Sequence, residues 1–247
     1  MASQGIKQER AGVVEKPQRK NARKTKPSPP TTPRGIRRYE DIKAAAGRVL
    51  EHVGYSNLTL ADVAEEAGIN VSLLYHYFAD KDDLVFAVLT DAIDSTEMFA
   101  LFPKSKDKYQ RIYDANLKWV EFYEKNPGIM RCVLHFGEAQ GEFYEHFRLE
   151  TAKHNRRIAA DIAKQIPDAP LSPQERLLVA HILGGMVDGF LFDRYVDQNP
   201  DLTEALPSPQ DVAEFLSIIW YRALYMAPPP GKNINKFKRI AKLSSVT

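Results

Sequence analysis

The residues best placed to do chemistry lie in one stretch, Thr59 to Leu84, which reads TLADVAEEAGINVSLLYHYFADKDDL. Two short helices are expected there, joined by Ala67-Gly68-Ile69-Asn70. Gly68 can supply the sharp turn, and Ala64 is small enough to let the helices cross closely. Val63, Ile69, Leu74 and Phe78 then form a compact apolar face against the preceding helix. Val71, Ser72, Leu73, Tyr75, His76 and Tyr77 are left to be shared between the surface and the seam with the next helix. A second helix whose first residues protrude is what reading the major groove of a duplex requires. The chemistry on offer is recognition by contact.

Catalytic patterns find little support. The chain has no P-loop, no GxGxxG after a strand, no HExxH and no GxSxG. Its single cysteine, Cys132, sits in an apolar helix as Arg131-Cys132-Val133, where a buried inert thiol is expected. One cysteine also excludes a disulfide framework and fits a reducing compartment. Glu138, Glu142 and His146 share a helix face at a spacing of four, which could hold a divalent metal. A solvated face is the commoner meaning of such a pattern, so no metal, no other cofactor and no enzyme activity are expected.

The elements that position the stretch are helices. Hydrophobic residues make up 44% of the 247, ample for a core. No apolar run approaches the ~18 residues of a membrane span, and the N-terminus lacks the apolar centre of a secretory signal. A cytoplasmic protein without a membrane partner is expected. Residues 1–35 carry Pro17, Pro27, Pro29, Pro30 and Pro33 among many basic residues and read as a disordered arm. From Ile36 to Met226 the pattern is helical, with no strand alternation or hairpin signal.

Helix one runs from about Arg37 to Val53, carried by Ile42, Ala45, Ala46, Val49, Leu50 and Val53, with Gly54 as its stop. Thr59 caps helix two, with Asp62 completing a capping box, and Asn70 caps a third helix from Val71 to Phe78. Asp80 caps a fourth that begins at Lys81. About five more follow, over Lys106–Lys125, Gly128–Phe136, Glu138–Gln165, Pro173–Asp197 and Pro209–Met226. The last two start at Ser172-Pro173-Gln174-Glu175 and Ser208-Pro209-Gln210-Asp211, each with a hydroxyl cap, a proline and an acid at the third helical position. The end, from Pro228 on, reads as a loose tail.

The net charge of +2 hides an asymmetry. Residues 1–38 hold 11 Lys/Arg and two acids, and residues 228–247 hold five Lys/Arg and none. The middle keeps 18 basic and 30 acidic residues. Basic ends on an acidic globule suggest a polyanion partner met by part of the surface only.

The stretch resembles the TetR family of bacterial transcriptional regulators. The likeness is carried by Thr59, Asp62-Val63-Ala64, Ala67-Gly68-Ile69, Leu74-Tyr75-His76-Tyr77-Phe78 and Lys81-Asp82-Asp83-Leu84, within residues 37–90. The resemblance implies an all-α protein of about nine helices: a three-helix DNA-binding head (36–82) with a helix-turn-helix, and a larger body (83–227) that dimerises and holds an effector, between the arm (1–35) and the basic tail (228–247). It implies that Thr59, Tyr75, Tyr77 and Lys81 meet the DNA backbone, and that Val71, Ser72 and Leu73 meet base edges. Asn70, His76, Arg37 and Arg38 complete the expected contact set. Val71-Ser72-Leu73 departs from the family's more polar pattern, which shifts the reading toward thymine methyls, DNA shape and the arm.

Helix eight carries Leu178, Ile182, Gly185, Met186 and Gly189, and helix nine Val212, Phe215, Leu216, Ile219, Trp220, Ala223 and Leu224. Two such helices per subunit suit a four-helix interface, with Ile182, Met186, Phe215, Ile219 and Trp220 as its residues. The homodimer would place two recognition helices on a roughly palindromic operator of double-stranded DNA. Phe86, Trp119, Tyr123, Phe143, Phe147 and Phe190 are expected to line a cavity for a small hydrophobic effector, with an anionic or polar end. The expected function is a ligand-released repressor. The alternative is a helical ligand-binding or scaffold protein without specific DNA binding.

Overall fold

The computed structural model describes residues 27–94, 105, 107–137 and 142–243, with the backbone alone at 134–137 and 142. Residues 1–26 of the expected arm, Glu138 and the side chain of Glu142 lie outside that description. The described residues hold α1 (Pro33–Asn57), α2 (Leu60–Glu66), α3 (Val71–Leu74), α4 (Lys81–Asp94), α5 (Lys108–Lys125), α6 (Pro127–Gly137), α7 (Glu142–Gln165), α8 (Pro173–Leu191), α9 (Pro200–Ala205), α10 (Pro209–Tyr225) and α11 (Lys238–Ala241), and no strand. The nine expected helices are all present. The additions, α9 and α11, span six and four residues, too few to show a helical period. The stretch after α8 is a π-helical turn, Phe192–Val196.

The start of α1 corrects the expected boundary of the arm. The Thr32 side chain accepts a hydrogen bond from the Gly35 amide at 3.2 Å, and Pro33 supplies the preset first-turn backbone. Residues 33–35 are therefore helical, and Arg34, Arg37 and Arg38 ride on the first turns of α1 rather than on an extended arm. At the other end Gly54, with φ of 70°, kinks the helix, which then runs on to Asn57.

α1 is the common wall of the molecule. Ile42, Ala45, Ala46 and Leu50 are at most 1% exposed. Val63, Leu74 and Phe78 from α2 and the α3 segment pack in the same core, as do Leu84, Val85 and Leu89 of α4. Each large side chain so buried is worth roughly 1.5–3 kcal/mol. The same helix also reaches the body. Glu51 accepts hydrogen bonds from the Gly128 amide at 2.7 Å and the Ile129 amide at 2.9 Å, so a carboxylate of α1 caps the first turn of α6. A side-chain carbon at Gly128 would lie 2.8 Å from the Glu51 Cα, so the close approach requires glycine. Cys132, one turn further along α6, is buried, and burial pushes its thiol up to about 11, an unreactive state at neutral pH.

In the body, α5 pairs with α10, and α7 with α8. Asn116 donates to the Ser217 hydroxyl at 2.9 Å, both buried, so the polar atoms of the first seam satisfy one another. The segment after α10 is not the loose tail expected from its prolines and lysines. Ile234 and Ala241 are each 3% exposed and close a small core with Tyr109 and Ile218. Glu214, 4% exposed on α10, accepts from three successive backbone amides, Asn235 at 3.0 Å and Lys236 and Phe237 at 2.8 Å each. A carboxylate in a nest of amides is a strong clamp, and it lies too far away in sequence for local pattern to show it.

Two outcomes follow for stability. Gly128→Ala overlaps backbone with backbone and lowers stability by about 1–3 kcal/mol in a denaturant titration, while an alanine at exposed Gly231 does not. Glu214→Ala leaves three amides without their acceptor and costs about 2–4 kcal/mol, read as a lowered Tm, with Glu214→Gln intermediate.

Candidate nucleic-acid interface

The head is shaped by its caps. The Thr59 hydroxyl donates to Asp62 Oδ2 at 2.6 Å and accepts from the Asp62 amide at 3.2 Å, while the Thr59 amide donates back to the same carboxylate at 3.1 Å. This is the expected capping box, and it commits the hydroxyl proton internally. The exposed Thr59 side chain holds α2 in place. Gly68 has φ of 63°, the left-handed turn expected of it, and Ala64, 1% exposed, lets α2 cross close. Asn70 Oδ1 accepts from the Leu73 amide at 2.8 Å and so caps α3.

α3 is shorter than expected. It is regular from Val71 to Leu74, and the chain then tightens, with the His76 and Tyr77 amides bonded to carbonyls three residues back. Leu74 and Phe78 anchor the segment inward, at 0% and 1% exposure. Ser72, Tyr75 and His76 are thereby turned outward, with Tyr75 47% exposed. Val71, Leu73 and Tyr77 are half-buried, and the Tyr77 ring lies 6.3 Å from that of Tyr39. The outward face therefore offers a hydroxyl, a phenol and an imidazole, flanked by two aliphatic side chains.

Three other expected contacts lie at the starts of α1 and α4. Arg37 is exposed and Arg38 half-buried at the start of α1. Lys81 donates to the Tyr55 carbonyl at 3.0 Å and its ammonium lies 4.3 Å over the Tyr55 ring, while the Tyr55 hydroxyl donates to Asp82 at 2.5 Å. The ammonium is therefore aimed by α1 and retains further protons for an anion. Head and body are also tied through Lys43, which bridges Glu40 at 2.9 Å and Asp91 of α4. Burial alone would lower the Lys43 ammonium pKa, and the two carboxylates outweigh it and raise it.

The expected effector-lining residues fall into three groups. Phe143 stands edge-on to Phe86 at 5.8 Å and stacks with Phe147 at 6.3 Å, between α4 and α7. Trp119 lies 5.4 Å from Tyr123 on α5. Phe190 is separate: it stacks on Phe215 of α10 at 6.0 Å, and Phe215 meets Phe237 at 5.3 Å. Phe190 is thus part of the α8–α10 seam rather than of the other two groups. Sequence reasoning passed over Asp188, which accepts the Trp119 indole N–H at 2.9 Å. Its signal was an acid set among the glycines and apolar residues of Gly184-Gly185-Met186-Val187-Asp188-Gly189.

The expected dimer residues also divide. Ile182 is 70% exposed and Leu178 57%, one turn apart on α8. Met186, Phe215 and Ile219 are half-buried. Trp220 is 7% exposed and lines a cleft of its own chain with Ile112 of α5 and Ile158 of α7, which leaves it no free face for a partner. Much of the apolar character of α10 is spent in the same way, on Val212, Ala213, Leu216 and Ile218, all at most 2% exposed.

The model of a family described as bacterial regulatory proteins, tetR family, matches residues 42–88. The HTH-type transcriptional regulator BetI of Stenotrophomonas maltophilia is 28% identical over 158 residues, covering 62% of this chain and 78% of that protein. The nucleoid occlusion factor SlmA of Vibrio campbellii is 30% identical over 169 residues, covering 64% of this chain and 84% of that protein. Among solved structures, a TetR-family regulator from Mesorhizobium loti superposes with a TM-score of 0.60 at 15% identity, over 78% of this chain and 98% of the other. The regulator FadR from Bacillus subtilis, in complex with stearoyl-CoA, gives 0.55 at 16% identity, over 72% and 97%. The helix-turn-helix at Leu60–Leu74, the helical body behind it and these likenesses agree, and the chain belongs to the TetR family of bacterial regulatory proteins.

Proposed function

We propose that the chain is a DNA-binding repressor that grips a palindromic operator as a homodimer and lets go when its body binds a small hydrophobic effector. The observation that carries this reading is the outward set Ser72, Tyr75 and His76, held by residues of the same segment that are fully buried. Exposed side chains rooted in a rigid, buried segment are suited to a groove, because little backbone entropy remains to be lost on docking. Val71 and Leu73 beside them fit thymine methyls, and Ser72 fits either donor or acceptor edges. Arg34, Arg37, Tyr75 and Lys81 supply the phosphate-facing groups.

The dimer reading rests on the open stripe of α8. Leu178, Ile182, Gly185 and Gly189 share one face, and a side-chain carbon placed at either glycine meets nothing within 4 Å. A bare, apolar helix face lets a second helix approach closely. The release reading rests on the joints: Glu51 to α6 and Lys43 to α4 tie the head to the helices beside the Phe86–Phe143–Phe147 cluster. A ligand that shifts α4 or α6 shifts α1 with them, and two heads respaced across a dimer no longer match one turn of DNA. The complex of FadR, a protein of similar fold, with stearoyl-CoA supports a small-molecule ligand with a long apolar part. A soluble, cytoplasmic, non-catalytic role accords with this reading.

Fluorescence anisotropy with the full chain tests it. A duplex from the region beside its own gene is expected to bind more tightly than random duplex, with affinity falling steeply as salt rises. Tyr75→Ala and Ser72→Ala each lower specific affinity about tenfold without moving Tm. Equal affinity for both duplexes overturns the reading in favour of a ligand-binding or scaffold protein. Sedimentation provides the second check: the wild type is a dimer at micromolar concentration and Ile182→Glu is a monomer, whereas a monomeric wild type rules out the two-headed grip.

A further inference from the structure

Lys81 stands in an unpromising run for a DNA contact, Asp80-Lys81-Asp82-Asp83. Three carboxylates flank one ammonium, and together they would repel a phosphate. The fold gives each acid a partner of its own. Asp80 accepts from the Asp83 amide at 2.9 Å, and Asp83 accepts from the Ala79 amide at 3.0 Å, so both serve the start of α4. Asp82, which is exposed, is held instead by the Tyr55 hydroxyl of α1, which donates to it at 2.5 Å.

The ammonium is drawn the other way. Tyr55 lies in the last turn of α1, where a helix leaves its carbonyls without intrahelical partners. In a continuing helix the Thr59 amide would reach the Tyr55 carbonyl, but it donates to Asp62. Lys81 donates there at 3.0 Å, with its ammonium 4.3 Å over the Tyr55 ring. α1 has no basic residue in its own last turn, so Lys81 supplies the cation that the end of a helix favours. Among the described residues no carboxylate lies at ion-pair distance from Lys81. A carbonyl and a ring attract an ammonium without neutralising it, whereas a carboxylate would. Tyr55 is itself fixed from the body side, because its backbone is hydrogen-bonded to Cys132 of α6.

We propose that Tyr55 is a positioning residue for DNA binding: its hydroxyl holds Asp82 aside while its carbonyl and ring hold the Lys81 ammonium, which leaves one unpaired cation for a phosphate in an otherwise anionic turn. The proposal rests on the DNA-binding reading, in which Lys81 faces the backbone of the duplex. It adds a residue of α1 that the expected contact set did not include.

Fluorescence anisotropy of the full chain over a salt series tests it, on the duplex from beside its own gene and on random duplex. Phosphate contacts carry no sequence information, so the effect is expected on both. Lys81→Gln is expected to weaken binding about tenfold and to lower the salt slope by about one per head. Tyr55→Phe keeps ring and carbonyl but releases Asp82 toward the ammonium, and weakens binding about fivefold. It removes one oxygen at a half-buried site, and circular dichroism is expected to show unchanged melting. Asp82→Asn restores the loss in Tyr55→Phe and changes the otherwise wild-type chain by less than about twofold. In Lys81→Gln, Tyr55→Phe costs nothing further. A merely structural role for Tyr55 would give the same loss in every background. Tyr55→Phe binding as the wild type does, a loss that Asp82→Asn leaves unrepaired, or an equal loss in Lys81→Gln each overturns the proposal. Preference for the specific duplex without this pattern sinks the positioning role alone. The pattern on both duplexes without preference for either sinks the repressor reading alone.

Discussion

The double loading of α1 is the constraint on which the rest of the molecule depends. One helix must bury Ile42, Ala46 and Leu50 against the core shared with α2, α3 and α4 while offering Lys43 and Glu51 to the body. A helix can do this because residues three and four apart share a face and the others do not. The Glu51 carboxylate is the critical atom group: it satisfies two amides at the start of α6 that would otherwise be orphaned, and it can approach only because residue 128 has no side chain. Head and body are thus one packed object, and displacement of one is felt by the other.

The recognition surface illustrates how little of a polar side chain's capacity is free once a fold has used it. Thr59 spends its hydroxyl proton on Asp62, and Asn70 spends its carbonyl oxygen on Leu73. Lys81 spends one proton on Tyr55. What remains turned outward are Ser72, Tyr75 and His76. Structural capping and ligand contact draw on the same short list of residue types, so residue type alone assigns neither role.

The body shows the same economy with apolar surface. α10 looks too greasy to stand alone, and it does not: α5 and the strap held by Glu214 pack against it. The face left bare belongs to α8, where Ile182 and Leu178 stand beside glycines. Trp220 and Ile182 were both expected at the dimer interface, and their surroundings separate them.

Helix positions, caps and the turn at Gly68 were legible in the sequence because they are local: a hydroxyl three residues before an acid, or a glycine after a short apolar run, acts through neighbours in the chain. The family likeness followed from the same local density of signals. The start of α1 at Pro33 was missed because a single cap was outweighed by the basic, proline-rich composition around it. The docking of Pro228–Leu243, the inward turn of Trp220, the Glu51–Gly128 joint and the placing of Trp119 against Asp188 were decided only by tertiary structure. Each joins residues several helical turns or more apart in the chain, and periodicity, which says which side of a helix is apolar, carries no information about which distant segment will cover it.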